Sequence, residues 1–226
     1  MRHHLSLSAC MLVLALPTAW AAGGSPMPAP PPARSESGQD QAKNAYNHGI
    51  GDVRKADKYQ TSANEATDGK KKDKALHEAE EYYSSALTSF MQAVRLDPNM
   101  HEAWNYVGYT NRKLGHYDTA LDAYQRALQL HPGYPEALEY RGEAFLGLNR
   151  ISDAEQAYLD LFAANRTLAD KLLVAMKGWI STQRGATAGG SDPTAVDALD
   201  KWVQERSQIA AQTASLTRAG AASSWR

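Results

Sequence analysis

The sequence predicts an all-α protein built as a superhelical array of antiparallel helix pairs. The first observation behind this is a set of residue columns that recur at a separation of 34. Ala86, Ala120 and Ala154 form one column, Phe90, Tyr124 and Tyr158 a second, and Ala93, Ala127 and Leu161 a third. Pro98 and Pro132 form a fourth, where Arg166 is the next member, and Gly108 and Gly142 a fifth. A period of this size marks a helix–turn–helix unit. The second observation is the residue type in each column. Alanine and glycine let paired helices approach closely, and the aromatic column fills the space beside them. The third is that one such pair cannot bury its apolar face alone, so units of this kind stack.

Composition removes several other classes. The chain has 226 residues, with 24 Lys+Arg against 25 Asp+Glu and a net charge of -1. It lacks the basic excess of a general nucleic-acid binder. Its single cysteine, Cys10, excludes an internal disulfide and a cysteine-based zinc site. A hydrophobic fraction of 43% is too high for a wholly disordered chain.

The first element is an address. Met1–Ala21 has a short basic start at Arg2, an apolar run from Ala9 to Leu16, a break at Pro17 and a small-x-small motif at Ala19-Trp20-Ala21. This reads as a cleaved secretory signal peptide and places the mature chain in the periplasm or outside the cell. The apolar run is shorter than a bilayer span, which takes about 20 residues, so no membrane span is expected after cleavage. Leu7-Ser8-Ala9-Cys10 imitates a lipobox, but the apolar run follows Cys10 where a lipoprotein has it before the cysteine. Cleavage leaves no cysteine. Residues 22–40 carry closely spaced prolines (Pro26, Pro28, Pro30–Pro32) and read as a polyproline-like spacer.

Residues 41–184 hold the array. Residues 101–132 resemble a tetratricopeptide repeat. Trp104-x2-Val107-Gly108 stands for the family's Trp-x2-Leu-Gly opening, and Ala120, Tyr124, Ala127 and Pro132 for its later Ala, aromatic, Ala and Pro. Asn111 departs from the family's tyrosine. Residues 135–166 match less fully: Leu138 replaces the tryptophan, Arg141 the leucine before Gly142, and Leu161 and Arg166 the later Ala and Pro. The first repeat is split. Ala86, Phe90, Ala93 and Pro98 place its second helix near 75–96, but the first helix is not where the period puts it. Asn47-x2-Ile50-Gly51 imitates the opening 23 residues early. This predicts an insertion near 61–74 between the two helices, with Lys70–Lys72 and Lys74 in a solvated loop. Ser152-x2-Glu155 matches a capping box. Thr167 is the expected cap of a final helix carrying Leu172, Leu173, Met176 and Trp179, which covers the last repeat.

Residues 185–226 form a linker, an amphipathic helix and a frayed tail. Asp192-Pro193 opens the helix as cap and first-turn proline. Its face of Val196, Leu199, Trp202 or Val203, and Ile209 either docks back on the array or belongs to a mobile partner-binding helix, and the helix around Trp202 is also the candidate for driving self-association.

The resemblance implies about three repeats in a right-handed superhelix, and a concave face lined by each repeat's first helix. It points to His48 and Asp52 in the split repeat, Asn105, Tyr109 and Arg112 in the central one, and Glu139 and Glu143 in the next, edged by Tyr106 and Tyr140. Some relatives grip a C-terminal carboxylate with cations in this groove. Here Glu139 and Glu143 replace part of that set, so a partner with basic and apolar side chains fits better. The other reading is that the tyrosines are packed and the carboxylates merely solvated. No cofactor, metal or catalytic constellation is indicated. His48, His77, His101, His116 and His131 lack metal-ligand spacing, and no HExxH, GxxxxGK[ST] or GxSxG is present. The expectation is a non-catalytic protein-binding module. A self-associating scaffold is the alternative, and an unrecognised hydrolase or metal enzyme a distant third.

Overall fold

The structure is a computed structural model that describes residues 37–186 and 191–223, with side chains described to residue 215. The predicted leader and the spacer up to residue 36 lie outside the described residues, as does most of the linker. The described residues fall in one compact unit, Glu36–Arg226. They form helices α1 (Gly38–Glu65), α2 (Gly69–Leu96), α3 (His101–Lys113), α4 (Tyr117–Leu130), α5 (Pro135–Gly147), α6 (Ile151–Ala164), α7 (Arg166–Gly185) and α8 (Pro193–Ser223). Among the described residues there is no strand. The all-α solenoid is therefore as expected, with successive helices packed on their neighbours.

The recurring columns are the core. Ala86, Ala120 and Ala154 are fully buried, as are Phe90, Tyr124 and Tyr158. Each buried aromatic removes enough apolar surface to contribute ~1.5–3 kcal/mol. Gly108 permits this: a Cβ there would collide with the Tyr124 ring. Gly115, at φ +81°, makes the tight turn between α3 and α4.

Two expectations about the first pair are corrected. There is no inserted loop. The extra residues lengthen the helices, so α1 and α2 run 28 residues each and only three residues separate them. Lys70–Lys72 and Lys74 lie in the first turns of α2 and are exposed. Asp68 caps that helix, its carboxylate accepting from the Lys71 amide at 2.9 Å. Chain that must leave and return to one interface does so at low cost as two continued, paired helices, because every backbone amide is satisfied on the way. The register of α1 also differs. Gly49, not Gly51, is the close-packed glycine. A Cβ on Gly49 would lie 2.7 Å from the Phe90 ring, and one on Gly51 would meet nothing.

Helix starts differ in detail. α1 begins inside the predicted spacer, where Ser37 and Asp40 form a reciprocal capping box. The Ser152–Glu155 box does not form. Asn149 adopts a left-handed φ of 57°, Arg150 N donates back to Phe145 O, and α6 starts at once at Ile151, which leaves Ser152 inside the first turn. Asn165, not Thr167, caps α7 by accepting from the Leu168 amide at 3.1 Å. Asp192 and Pro193 open α8 as read, with Asp192 accepting from the Thr194 amide.

α7 covers the last repeat, and its Leu172 fills the space over Gly142. α8 docks on α7. Val196, Leu199 and Val203 are buried, and Trp202 packs edge-on against Tyr158 with ring centroids 5.2 Å apart. Arg184 ties the two helices through Asp197 at 2.7 Å and Asp200 at 2.9 Å. The helix continues to Ser223, beyond the point where a frayed tail was expected.

Candidate partner-binding face

The first helices of the pairs, α1, α3 and α5, are joined by a row of aromatic side chains. Tyr46 of α1 meets Phe90 at 5.7 Å and Tyr106 of α3 at 5.8 Å. Tyr106 continues to Tyr109 at 6.0 Å, and Tyr109 to Tyr140 of α5 at 5.1 Å. The spacing is set by the helices: Tyr106 and Tyr109 are one turn apart on α3, so both point along the same face. Tilted and edge-on contacts of this kind suit the aromatic quadrupole. All four tyrosines are half-buried.

Polar groups lock the row. Asp57 of α1 accepts hydrogen bonds from the Tyr109 hydroxyl at 2.7 Å and the Tyr83 hydroxyl at 2.5 Å. Burial first, and then the Asp57 carboxylate, push both phenols up. Burial also pushes Tyr46 up to about 12. Arg112 pairs with Glu143 across α3 and α5 at 2.5 Å, and its guanidinium lies over the rings of Tyr109 and Tyr140 at 5.2 and 5.4 Å. Burial alone would lower the Arg112 pKa, but Glu143 together with the Tyr124 and Tyr109 phenols outweighs it and the group stays cationic. Lys113 lies over the Tyr83 ring, and burial followed by the nearby Arg112 charge lower its pKa.

Six of the nine sequence-selected residues come together here: Tyr106, Tyr109, Arg112, Glu139, Tyr140 and Glu143. Asn105 belongs to the same helix but is 1% exposed, so it sits beneath the surface, its Oδ1 without a hydrogen-bond partner among the described residues. Glu139 is 5% exposed. Burial, and then Glu143, push its carboxyl up to about 7.

His48 and Asp52 do not line this face. They lie on the side of α1 that meets α2. Asp52 is buried, accepting from Ser85 at 2.7 Å and Lys55 at 2.9 Å. Its burial would raise its pKa, but these two hydrogen bonds hold it below the usual carboxylate range. His48 is exposed beside a shallow cleft with Ser89 and Gln92. The cause is the register of α1. Counting from Gly49 in place of Gly51 moves each assignment two residues, about 200° around the helix. The residues that do face α3 are Tyr46 and Asp57, which sequence reasoning missed. A signal existed in the small-residue stripe Ala42, Ala45, Gly49, Val53, Ala56 and Ala63, all buried, which marks the packed face more faithfully than the imitated motif.

Among the described residues no group of three or more His, Cys, Asp or Glu is placed to hold a metal ion. No described helix is long and apolar enough to cross a membrane.

Comparison with known proteins finds a family likeness over the central helices. The tetratricopeptide-repeat family model matches residues 75–135 and again 108–167. No curated protein matches the chain. Among solved structures, the crystal structure of MamA aligns with a TM-score of 0.40 and 19% identity, covering 77% of this chain and 96% of that one. The matched segments hold the recurring Ala and aromatic columns that form the buried core, and over residues 75–167 the chain is similar to tetratricopeptide repeats.

Proposed function

We propose that this chain is an exported, non-catalytic module that holds a segment of another protein against the face formed by α1, α3 and α5. The observation that carries the reading is the tyrosine row Tyr46–Tyr106–Tyr109–Tyr140, half-buried and spanning three successive helix pairs. Half-buried tyrosines offer large apolar contact at low entropy cost while keeping a hydroxyl for hydrogen bonding. The ion pair and phenol network hold these rings in place before any partner arrives, so little ordering cost remains at binding. The leader at 1–21 supports delivery to the periplasm or cell exterior, where such a module would meet its partner.

The test is photocrosslinking in cells, with a crosslinking amino acid at Tyr106 or Tyr140 and, as control, at exposed Gln125 on α4. The expected outcome is a discrete crosslinked product from the first two positions only, with a mature N-terminus at residue 22. Equal or absent products at all three positions would sink the proposal.

Self-association through the α8 apolar face is the weaker reading. Val196, Leu199, Trp202 and Val203 are already used within the chain.

A further inference from the structure

The carboxylates along this face differ in one respect. Asp57 receives two phenol hydrogen bonds, and Glu143 is paired with Arg112. Glu139 is the most buried of the three α5 glutamates, yet among the described residues it accepts no hydrogen bond and has no cation within ion-pair distance. The charged groups facing it are Glu136 and Glu143 on its own helix, Arg112 from α3 and Lys171 from α7. Arg112 is committed to Glu143, and Lys171 is exposed with no ion pair among the described residues. An unpaired carboxylate at this depth is costly, and a donor or cation brought to it removes the cost.

We propose that Glu139 is the receptor for a cationic side chain, lysine or arginine, of the bound partner segment. This rests on the binding face proposed above and names the chemistry it selects. Two observations support a cation here. The neighbouring Tyr140 ring already lies under one guanidinium, that of Arg112, so the rings of this face stabilise positive charge. The Arg112 charge is itself balanced by Glu143, which leaves Glu136 and Glu139 against Lys171 and a negative balance at this end of the face.

The proton balance follows. A cation binds the ionised carboxylate, so binding below the Glu139 midpoint of about 7 releases one proton to solvent. Affinity therefore rises with pH through that midpoint and levels off above it. Between pH 5.5 and 8.5 the linkage allows a gain of about tenfold or more.

The experiment is a carbon-13 titration of the Glu139 carboxyl in the full chain, with butylammonium and ethylguanidinium as probes and 1-pentanol as the neutral control. Both cations are expected to lower the Glu139 midpoint and to bind about tenfold more tightly at pH 8.5 than at 5.5. Pentanol is expected to do neither. Glu139→Gln, which mimics the protonated form, is expected to bind the cations weakly at every pH while still responding to pentanol. If the cations move the Tyr106 and Tyr140 resonances but leave the Glu139 midpoint unchanged, or if Glu139→Gln keeps their pH dependence, this proposal is overturned and the binding face stands. Failure of the crosslinking test would instead remove the face itself.

Discussion

The first helix pair and the central pair solve one packing problem with different amounts of chain. In the central pair α3 and α4 have 13 and 14 residues, and Gly108 precedes the Tyr124 it packs against by 16 positions. In the first pair both helices have 28 residues, and Gly49 precedes Phe90 by 41. The contact is conserved in kind: a glycine on the first helix receives an aromatic ring from the second. The separation along the chain is not. What the interface demands is a gap of the right size at one crossing point, and the extra 25 residues are absorbed by lengthening both helices beyond it. The longer pair also does something the central pair does not. It carries Asp57 and Tyr83 past the crossing point to the Tyr109 hydroxyl, which couples α1 and α2 to the tyrosine-lined face of α3.

If the two crossings are equivalent, removing either ring should cost alike. Phe90→Ala and Tyr124→Ala are each expected to lose ~3–5 kcal/mol in denaturant unfolding. A loss near zero for Phe90→Ala would show that the first pair stacks some other way. The coupling through Asp57 should be smaller. Asp57→Ala leaves two phenols without their shared acceptor and is expected to cost ~2–3 kcal/mol. A double-mutant cycle with Tyr109→Phe should be non-additive, and additivity would mean that the two pairs are energetically separate. The finest test concerns register. Gly49→Ala places a methyl against Phe90 and should destabilise by ~1–2 kcal/mol. Gly51→Ala, in open space within a helix, should stabilise by ~0.5–1 kcal/mol. The reverse order of signs would restore the register read from the Asn47-x2-Ile50-Gly51 motif.

The central pair was legible because its spacing repeats. Once Ala120, Tyr124 and Ala127 are matched to Ala86, Phe90 and Ala93, helical geometry dictates that they share a buried face, and they do. The resemblance to the repeat family pointed to Tyr106, Tyr109, Arg112, Tyr140 and Glu143, which lie together on one surface. It failed for His48 and Asp52 because a five-residue imitation of the opening outweighed a longer stripe of small residues, and on a helix an error of two positions lands on the opposite side.

The sequence by itself determined the all-α repeat architecture and the buried columns, since these depend on local periodicity and on residue size at repeated positions. It also determined where α8 begins, through Asp192 and Pro193. Only the tertiary structure decided the register of α1, the helical course of the inserted residues, the docking of α8 and the state of each carboxylate. Those depend on which side chains meet across helices far apart in the chain. Glu139 and Glu143 lie one turn apart on α5, yet one is paired with an arginine from α3 and the other is buried without a partner. Spacing within a helix sets which residues share a face. The neighbouring helices set which of them is left unpaired.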